Sequence, residues 1–515
     1  MIPVSDDYIN ALYGGEVIPK CEAEVKLEIY VGNELKTRTW SGEDFSNLTF
    51  KRSVDPLSLE LPAMSAEWEE PLTNDLNLSN YPIDLSNLKG TGRVTITFNQ
   101  HTALFGTWKS VKKNTWKQLK SKTWAQVLEG DFEKLKMPEL FMNASPKIEK
   151  EKITWNAVGL VQLMSHSYDQ FFDGITQYTL NNETLTGWRF HAIIANVIQN
   201  EREAYANDPI AYQALTNAMN FAYSSLPTEN KDWPMHVNGT TADIVKNATS
   251  YLGYTFDNTN GLTFKKLPSS PQVIENRHLT RDFMFSDPEV TQATGISKYT
   301  YSIYQHSTNW ETSKEKQIYA TEVSEGKDNF GKKMWKLVWT YSDAPYATPI
   351  TENISGLNSN DIHFFSSCSK AVLYVTQEYS TLSAESIKKI PNIKLNVYSL
   401  ESTNSEKTLT GYDGDNAFKD ENPLCSPYPV KPTEVTKRAA NVAARYKKGN
   451  LQIDCEIVGD PSIEPMDFIK CDTGIYVTSE NTEKEQTVNL LVTGIELTYS
   501  GILNEKLTGI QWGNI

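Results

Sequence analysis

Hydrophobic and polar residues alternate strictly near both ends of the chain. Close to the N-terminus the alternation covers residues 21–29, and close to the C-terminus it covers residues 451–457, 488–492 and 495–499. A period of two is the pattern of a strand with one buried face. Gly494 separates the last two runs and predicts a bend or bulge between them. We therefore predict antiparallel sheets at both ends of the chain.

Apolar residues recur at helical spacing in three longer stretches, which are residues 190–198, residues 211–222 and residues 435–446. Thr433 can cap the last of these helices, and Gly449 can close it. Shorter capped helices are predicted after Ser5 and after Thr240. The helix after Thr240 leads into a hairpin of two short strands around residues 257–261.

Further strands are predicted in the second half of the chain, at residues 318–321, 334–339, 371–375 and 393–398. The fold class is therefore α+β and mostly β. At 515 residues, a typical domain of about 150 residues predicts three or four domains. We predict four: an N-terminal β-barrel-like domain (1–150), a mixed helix and hairpin domain (151–270), a second β-rich domain (271–410) and a C-terminal helix with a small β-barrel (411–515).

An internal repeat lies in the first domain. Three octads begin with Thr-Trp and place Trp108, Trp116 and Trp124 eight residues apart. A period of eight does not keep one face of a helix, so each octad predicts a capped turn whose tryptophan packs on the body and is mostly buried. The spacers carry six lysines, which are Lys109, Lys112, Lys113, Lys117, Lys120 and Lys122. This basic patch is either a solvated face, which we favour, or a contact for an acidic neighbour.

Composition limits the class of protein. The formal net charge is −15 and the sequence pI is about 5.1, which argues against a dedicated nucleic-acid binder. The five cysteines form no CxxC pair, so neither a disulfide framework nor a zinc knuckle is predicted, and Cys455 is expected to be a buried small hydrophobe. Residues 1–20 lack the apolar core of a signal peptide, and no membrane span is predicted.

The motifs of catalytic and cofactor sites are missing. Residues 326–333 approach a phosphate-binding P-loop, but Lys333 replaces the Ser or Thr that binds Mg²⁺, and a strand pattern follows instead of a helix. The seven histidines show no metal-ligand spacing, no G-x-S-x-G motif occurs, and the acidic residues 413–421 lack the EF-hand glycine, although weak Ca²⁺ binding there stays open. We predict no catalytic, cofactor-binding or metal-binding residues and no enzyme activity. A carboxylate pair for glycan cleavage has no universal motif, so this alternative stays open.

The order of several short segments resembles a known family. Asn422-Pro423-Leu424, an Ala-rich helix, the turn from Gly459 to Asp467 and the final strand around Leu497-Thr498-Tyr499 resemble the C-terminal part of phage tail hub proteins, the tail-tip or baseplate hubs of tailed phages of Gram-positive hosts. The segment from Asp55 to Pro62 resembles the first domain of the same family. Met466 stands where the family prefers Gly, so the turn is expected to form without a residue at φ > 0.

The resemblance implies a virion structural protein and a homotrimer. In such hubs two barrel-like domains form a ring that continues the tail tube, and two further domains form a cup. The implied partners are tail tube or distal tail proteins and a tail fibre, spike or tape-measure protein, and DNA passes the lumen without specific binding. The chain is expected to assemble in the host cytoplasm and to end at the tail tip. Strands in such hubs can be interwoven between domains, which spacing does not reveal.

Two other functions stay open at this stage. Twelve Trp and 25 Tyr could form the sugar platforms of a carbohydrate- or receptor-binding adhesin, although aromatic residues in a β protein are more often core or interface. A tail-associated cell-wall hydrolase is the third interpretation.

Overall fold

The computed structural model describes residues 2–13, 20–54, 63–73, 81–102, 132–142, 145–172, 177–180, 183–186, 188–226, 230–231, 235–251, 254–257, 263–266, 273–274, 277–292, 295, 297–306, 316–318, 322–327, 333–340, 346–350, 362–366, 370–376, 393–398, 400–408, 417–419, 439–440, 443, 446, 450–479 and 482–512. Four predictions therefore fall wholly or largely outside the described residues: the Thr-Trp octads, the segment from Asp55 to Pro62, the Asn422-Pro423-Leu424 segment and the acidic residues 413–421.

In the described part of the chain, four α-helices of 8 to 17 residues have defined bounds. They are α1 (Asp6–Tyr13), α2 (Phe190–Ala204), α3 (Pro209–Ser225) and α4 (Thr241–Tyr251). Single 3₁₀ turns lie at Gly42–Asp44, Leu85–Asn87, Leu160–Leu163 and Arg281–Phe283.

Strands dominate the described part of the chain. The first group comprises β1 (Cys21–Val31), β2 (Glu34–Ser41), β3 (Asn47–Ser53), β4 (Ala63–Pro71), β5 (Leu88–His101), β6 (Phe132–Lys136), β7 (Leu140–Met142), β8 (Lys147–Ile148) and β9 (Lys152–Val158). The second comprises β10 (Ser167–Phe172), β11 (Gln177–Leu180), β12 (Glu183–Thr186), β13 (Trp188–Arg189), β14 (Asn230–Lys231), β15 (Met235–Thr240), β16 (Tyr254–Asp257) and β17 (Thr263–Lys266).

The remaining strands follow in the second half. They are β18 (His278–Leu279), β19 (Glu289–Gln292), β20 (Lys298–His306), β21 (Lys316–Ile318), β22 (Glu322–Lys327), β23 (Lys333–Thr340), β24 (Tyr346–Ile350), β25 (Ile362–Ser366), β26 (Lys370–Thr376), β27 (Ile393–Tyr398), β28 (Leu400–Thr408), β29 (Ala417–Lys419), β30 (Leu451–Val458), β31 (Phe468–Ser479), β32 (Thr482–Tyr499) and β33 (Leu503–Gln511).

One large sheet contains both ends of the chain. Its 15 strands follow the order β19-β30-β33-β32-β3-β4-β9-β7-β5-β1-β2, with β31, β18, β6 and β8 on side branches. The sequence predicted two barrel-like β domains, but the described strands form an open sheet in which no barrel closes. The remaining described strands form smaller sheets of two to four strands.

Strand β32 is the joint between the two halves of this sheet. Its first half pairs with β31, from Ser479↔Thr482 to Phe468↔Leu491. Its second half pairs with β3 instead, from Ser53↔Gly494 to Leu48↔Tyr499. With 18 residues, β32 is long enough to pair first with β31 and then with β3. The N-terminal strand β3 thereby continues the sheet of the C-terminal segment.

The core of the first half is built on three tryptophans. Trp40, Trp68 and Trp155 come from β2, β4 and β9, and each is fully buried. Trp68 stacks on Trp155 with ring centroids 6.0 Å apart, and Trp40 meets both edge-on at 5.4 and 5.2 Å. Because aromatic pairs prefer these offset and edge-on geometries, the cluster fixes how β2 folds over β4 and β9.

A separate helical core lies beside the large sheet. Apolar residues of α2, α3 and α4 pack together with Ala439, which is 1% exposed, and with the half-buried Ala443 and Tyr446. Asp208 caps α3 and also accepts a hydrogen bond of 2.6 Å from the backbone N–H of Thr91 in β5. This carboxylate ties the helical core to the sheet.

The patterns in the sequence located many of these elements. The alternating residues of β1 and β30 are buried as predicted, Cys455 is 3% exposed, and the pairing of β32 shifts register between Val492 and Gly494. The helices predicted after Ser5 and Thr240 are confirmed as α1 and α4, and β16 and β17 form the predicted hairpin. Of the helix predicted over residues 435–446, residues 439, 440, 443 and 446 are described; the first three are helical and residue 446 lies in a turn.

Candidate functional site

The turn between β30 and β31 lies in the interior of the protein. Every residue from Gly459 to Asp467 is buried, although turns of this composition normally lie at the surface. Gly459 is held close to β33, because a Cβ at this position would lie 2.4 Å from the side chain of Leu503. We call residues 459–467 the buried turn.

A polar cluster surrounds Asp460 in this turn. The Asp460 carboxylate accepts hydrogen bonds from the hydroxyls of Tyr8 (2.7 Å) and Tyr13 (2.8 Å), which both lie on α1. It also accepts from the Ser462 hydroxyl at 2.6 Å and from the Ser462 N–H at 3.0 Å. Arg277 Nε lies 3.1 Å from Asp460 Oδ2, in a charge contact whose N–H direction does not meet hydrogen-bond geometry. The cluster therefore joins α1 to a turn about 450 residues later.

Glu505 completes the cluster from β33. Its Oε2 accepts a hydrogen bond of 2.8 Å from the Asp460 backbone N–H, and its side chain is 1% exposed. Burial, and next the neighbouring Asp460 carboxylate, raise the pKa of Glu505 well above its usual value. Burial and Asp460 likewise raise the pKa of Tyr8 and of Tyr13. The fold thus favours the neutral forms of these three groups around one ion pair.

The raised pKa of Glu505 predicts a pH-dependent stability difference. In the unfolded chain Glu505 loses its proton near pH 4.5, whereas the folded protein retains it to higher pH. This contribution to stability is therefore complete below about pH 4.5 and is lost as the pH rises through the folded pKa. We expect Glu505→Gln to gain stability over the wild type between pH 4.5 and 8, by about 1.4 kcal/mol for each unit of raised pKa.

Urea unfolding at several pH values measures this difference. Glu456→Gln is the matched control, because Glu456 is an exposed carboxylate on the adjacent strand β30. Curves of stability against pH that stay parallel for Glu505→Gln and the wild type would contradict the prediction.

A second ion pair ties the buried turn to β3. Arg52 Nη1 lies 2.9 Å from Glu464 Oε1, and both side chains are nearly inaccessible, at 2% and 3% exposed. The Asp467 carboxylate accepts a hydrogen bond of 2.8 Å from the Glu464 N–H, and burial raises the pKa of Asp467. The turn is thus held by α1 at one end and by β3 at the other.

Met466 corrects an expectation from the sequence. The turn was expected to form without a residue at φ > 0, but Met466 itself has a φ of 76° and is the one non-glycine residue with positive φ in the described part of the chain. Its N–H donates to the carbonyl of Val492, and its side chain packs with Phe468 and Trp512. These contacts offset the steric cost of the left-handed conformation, which is about 1–2 kcal/mol.

At position 466 a Gly variant should be more stable than an Ala variant, which is the reverse of the usual order. Both variants lose the buried side chain, at about 2–5 kcal/mol, but only Gly relieves the backbone. We expect Met466→Gly to be more stable than Met466→Ala by about 1 kcal/mol, as measured by chemical unfolding. Met64 is the control, because it is also buried, at 2% exposed against 9% for Met466, but lies in the regular strand β4, where Ala should be better than Gly. An Ala variant that equals or exceeds the Gly variant at position 466 would refute this account.

The chemistry of the buried turn is structural. Asp460 and Tyr8 are 0% exposed, Arg277 is 1% exposed and Tyr13 is half-buried, so the carboxylate is shielded from solvent by the groups that bind it. Among the described residues, no group of three or more His, Cys, Asp or Glu side chains is placed to hold a metal ion. No helix in the part of the chain that the structure describes is long and apolar enough to cross a membrane.

The near-match to a P-loop is a strand hairpin, as its sequence indicates. β22 and β23 pair antiparallel, with Lys327 opposite Lys333, and β23 continues as a strand to Thr340. Among the described histidines, three lie near a carboxylate: His166 Nδ1 is 2.6 Å from Glu201, His278 Nε2 is 2.8 Å from Asp472, and His101 Nε2 is 3.9 Å from Glu22. The lysines of the octads lie outside the described residues.

Sequence reasoning missed the members of the Asp460 cluster. The segment Gly459-Asp460-Pro461 was recognised as a turn, but nothing in the spacing connects it with Tyr8, Tyr13, Arg277 or Glu505. Glu505 gives one local signal, because it occupies an inward position of β33 between Leu503 and Leu507. A carboxylate at such a position predicts a buried partner.

The solved structures to which this chain is similar include two tail proteins, both at low sequence identity. No family model matches the chain, and no curated protein sequence matches it. The 43 kDa tail protein of prophage MuSo2 from Shewanella oneidensis is similar at 10% identity and a TM-score of 0.40, covering 95% of this chain and 98% of that one. The tail protein from Neisseria meningitidis MC58 is similar at 8% identity and a TM-score of 0.36, covering 95% and 96%. At these values the similarity by itself establishes neither a shared fold nor a shared function.

Proposed function

We propose that the chain is a structural subunit of a phage tail and forms the central hub ring at the tail tip or baseplate. The supporting observation is the position of two segments that carry the hub resemblance. The buried turn is held by α1 and β3, and Leu497-Thr498-Tyr499 lies in the part of β32 that pairs with β3. These segments are the places where the two ends of the chain are joined, which suits a subunit that must resist mechanical load. The two structural neighbours named above are tail proteins, but the proposal is carried by these segments.

The proposed assembly is a homotrimer. A ring needs heterologous interfaces that close after three copies, so each copy presents two different complementary surfaces. In this proposal one side of the ring binds the tail tube or distal tail proteins, and the other carries a fibre, a spike or the end of the tape-measure protein. The net charge of −15 suits a lumen that DNA passes without binding, because acidic side chains repel phosphates.

A structural role without a cofactor or enzyme activity is part of the proposal. Incubation with host peptidoglycan should therefore release neither soluble sugar nor peptide. Reproducible release that a single carboxylate substitution abolishes would favour a tail-associated hydrolase instead.

Locating the chain in the particle tests the hub proposal. A short peptide tag can be inserted at Gly501, which lies in the exposed turn between β32 and β33 with no atom within 4 Å of a Cβ built on it. A reconstruction of labelled particles should show three copies on the tail axis, beyond the last ring of the tube. Label on the outer sheath, or on peripheral fibres in copies unrelated to three, would defeat the proposal.

A further inference from the structure

The hairpin of β31 and β32 extends beyond the sheet. On one side β18 pairs with β31 only at Lys470 and Cys471, and on the other side β33 pairs with β32 only from Leu490 onward. Residues 473–479 and 482–487, which we call the arm, therefore pair only with each other among the strands that the structure describes. The base of the arm packs on the body, because Thr473 is 2% exposed and the half-buried Ile475 contacts the large core, whereas Tyr476 and Val477 beyond it are exposed. A ribbon of two strands is marginally stable by itself, so a partner would stabilise this outer part of the arm.

A β-bulge held by two side-chain hydrogen bonds forms the base of the arm. The pairing shifts register between Asp472 and Tyr476, where Gly474 has a φ of +72°. The Thr473 hydroxyl donates to the carbonyl of Gln486 at 3.0 Å, and the Glu485 carboxylate accepts from the Gly474 N–H at 2.8 Å. A bulge fixed in this way sets the direction of a ribbon. The arm thus leaves the sheet in a defined direction.

The two faces of the arm differ in chemistry. Tyr476 is 64% exposed and lies opposite Glu485, and the next pair on that face adds Glu483. This face combines an aromatic ring with two carboxylates. Val477 is 48% exposed on the other face, where it lies opposite Lys484.

Strand β2 offers an edge with the complementary pattern. Among the described strands β2 pairs only with β1, and residues 34–37 are all exposed. Lys36 and Arg38 lie on the face that continues to the buried Trp40, and Leu35, 52% exposed, lies on the other face. Lys36 also contacts Glu34 at 2.5 Å, in an ion pair that is exposed at both ends and therefore weak.

We propose that the arm of one copy pairs, through the outer edge of β31, with residues Glu34–Thr37 of β2 in a second copy. Edge-to-edge pairing continues the faces of both strands. It places the acidic face of the arm beside Lys36 and brings Val477 to the same side as Leu35. An inward-pointing lysine at a sheet edge discourages unspecific pairing, whereas an acidic partner strand can form an ion pair with it. The charge of Lys36 and the apolar side chain of Leu35 therefore both favour the arm of a second copy as the partner of β2.

The two surfaces are different, and β31 lies eight pairing steps from β2 in the sheet of one copy. Head-to-tail pairing between copies is therefore heterologous, and an open assembly keeps one free arm and one free edge until a ring closes. The inference deepens the proposed hub ring by naming a contact between its subunits, and it rests on that ring for its biological meaning.

Site-specific photocrosslinking identifies the contact. Benzoylphenylalanine at position 476 of the full chain should crosslink two copies, and mass spectrometry should map the acceptor to residues 31–41. The same group at position 35 should crosslink to residues 473–487. Position 502 is the control, because Ile502 is 56% exposed in the turn between β32 and β33 and lies in neither surface. Acceptors elsewhere, no crosslinked dimer, or an equal yield from position 502 would overturn the proposal.

Mixing two variants tests whether the contact is heterologous. Val477→Asp impairs the arm and Leu35→Asp impairs the edge, and each should weaken self-association about tenfold or more. A mixture of the two should form a dimer but no ring, because one intact arm still meets one intact edge. Ile502→Asp should associate like the wild type. Sedimentation velocity measures all four samples, and circular dichroism checks that each variant is folded.

The outcomes separate this inference from the hub proposal. A wild-type ring that Val477→Asp and Leu35→Asp both leave intact would overturn the arm contact and leave the hub ring standing. A wild-type chain that stays monomeric at its highest soluble concentration, with no crosslink in tail particles either, would overturn the arm contact and the ring together.

Discussion

Asp460→Asn should destabilise the protein by about 3–5 kcal/mol, although the side chain keeps its size. The carboxylate accepts hydrogen bonds from two tyrosine hydroxyls and from the Ser462 hydroxyl and N–H, and it lies in charge contact with the Arg277 guanidinium. In Asn one carboxylate oxygen is replaced by an NH₂ group. Its N–H donors then face the donors that bound the oxygen. The substitution also removes the negative charge beside Arg277, whose side chain is only 1% exposed. Buried groups that lose such partners carry their full desolvation cost.

Chemical unfolding and hydrogen exchange check this result. Tyr8→Phe and Tyr13→Phe each remove one hydroxyl and leave the carboxylate with other donors, so each should cost about 0.5–1.5 kcal/mol. Faster exchange of α1 amides in Asp460→Asn, before global unfolding, would show that the cluster holds the N-terminal helix. An Asp460→Asn protein within about 1 kcal/mol of the wild type would mean that the cluster contributes little to stability.

Arg52→Met should cost about 3–5 kcal/mol, because it removes the guanidinium that lies 2.9 Å from the buried Glu464 carboxylate. Adding Glu464→Gln to this variant should recover part of the loss, since the remaining group is then neutral. Arg52 is 2% exposed and Glu464 is 3% exposed, so solvent screens this pair very little.

The neighbouring residue on β3 supplies the control. Lys51 forms an ion pair with Glu496 at 3.0 Å, but its side chain is 55% exposed, so Lys51→Met should cost less than about 1 kcal/mol. A double-mutant cycle for each pair, measured in urea, gives the two coupling energies. Equal coupling energies for the buried and the exposed pair would contradict the role assigned to burial.

Both predictions test how firmly the N-terminal and C-terminal segments of the chain are joined. Helix α1 and strand β3 come from the first 53 residues, and the buried turn comes from the last 60 or so. The ion pairs and the β3–β32 pairing join them in one body. For a hub ring, this arrangement means that a pull on either end of the chain is resisted by buried contacts.

The amino-acid sequence determined the local structure, because that information is carried by neighbouring residues. The period-two pattern located β1 and β30, the helical pattern located α2 and α3, and the Gly494 irregularity in β32 followed from a single residue. The mostly β class followed from the same patterns. The tail resemblance also came from the sequence, through short segments in a fixed order.

Only the tertiary structure decided how distant segments meet. No periodicity relates β3 to β32, and no spacing relates Tyr8 to Asp460, because such contacts depend on the path of the whole chain. The interior position of the buried turn was equally hidden, since Gly, Asp and Pro normally indicate the surface. Met466 shows the limit most clearly: the sequence predicts a turn without positive φ, and packing with Phe468 and Trp512 compensates for the strain of having one. Local patterns fix what each segment becomes, and burial against distant partners decides which local preferences are overridden.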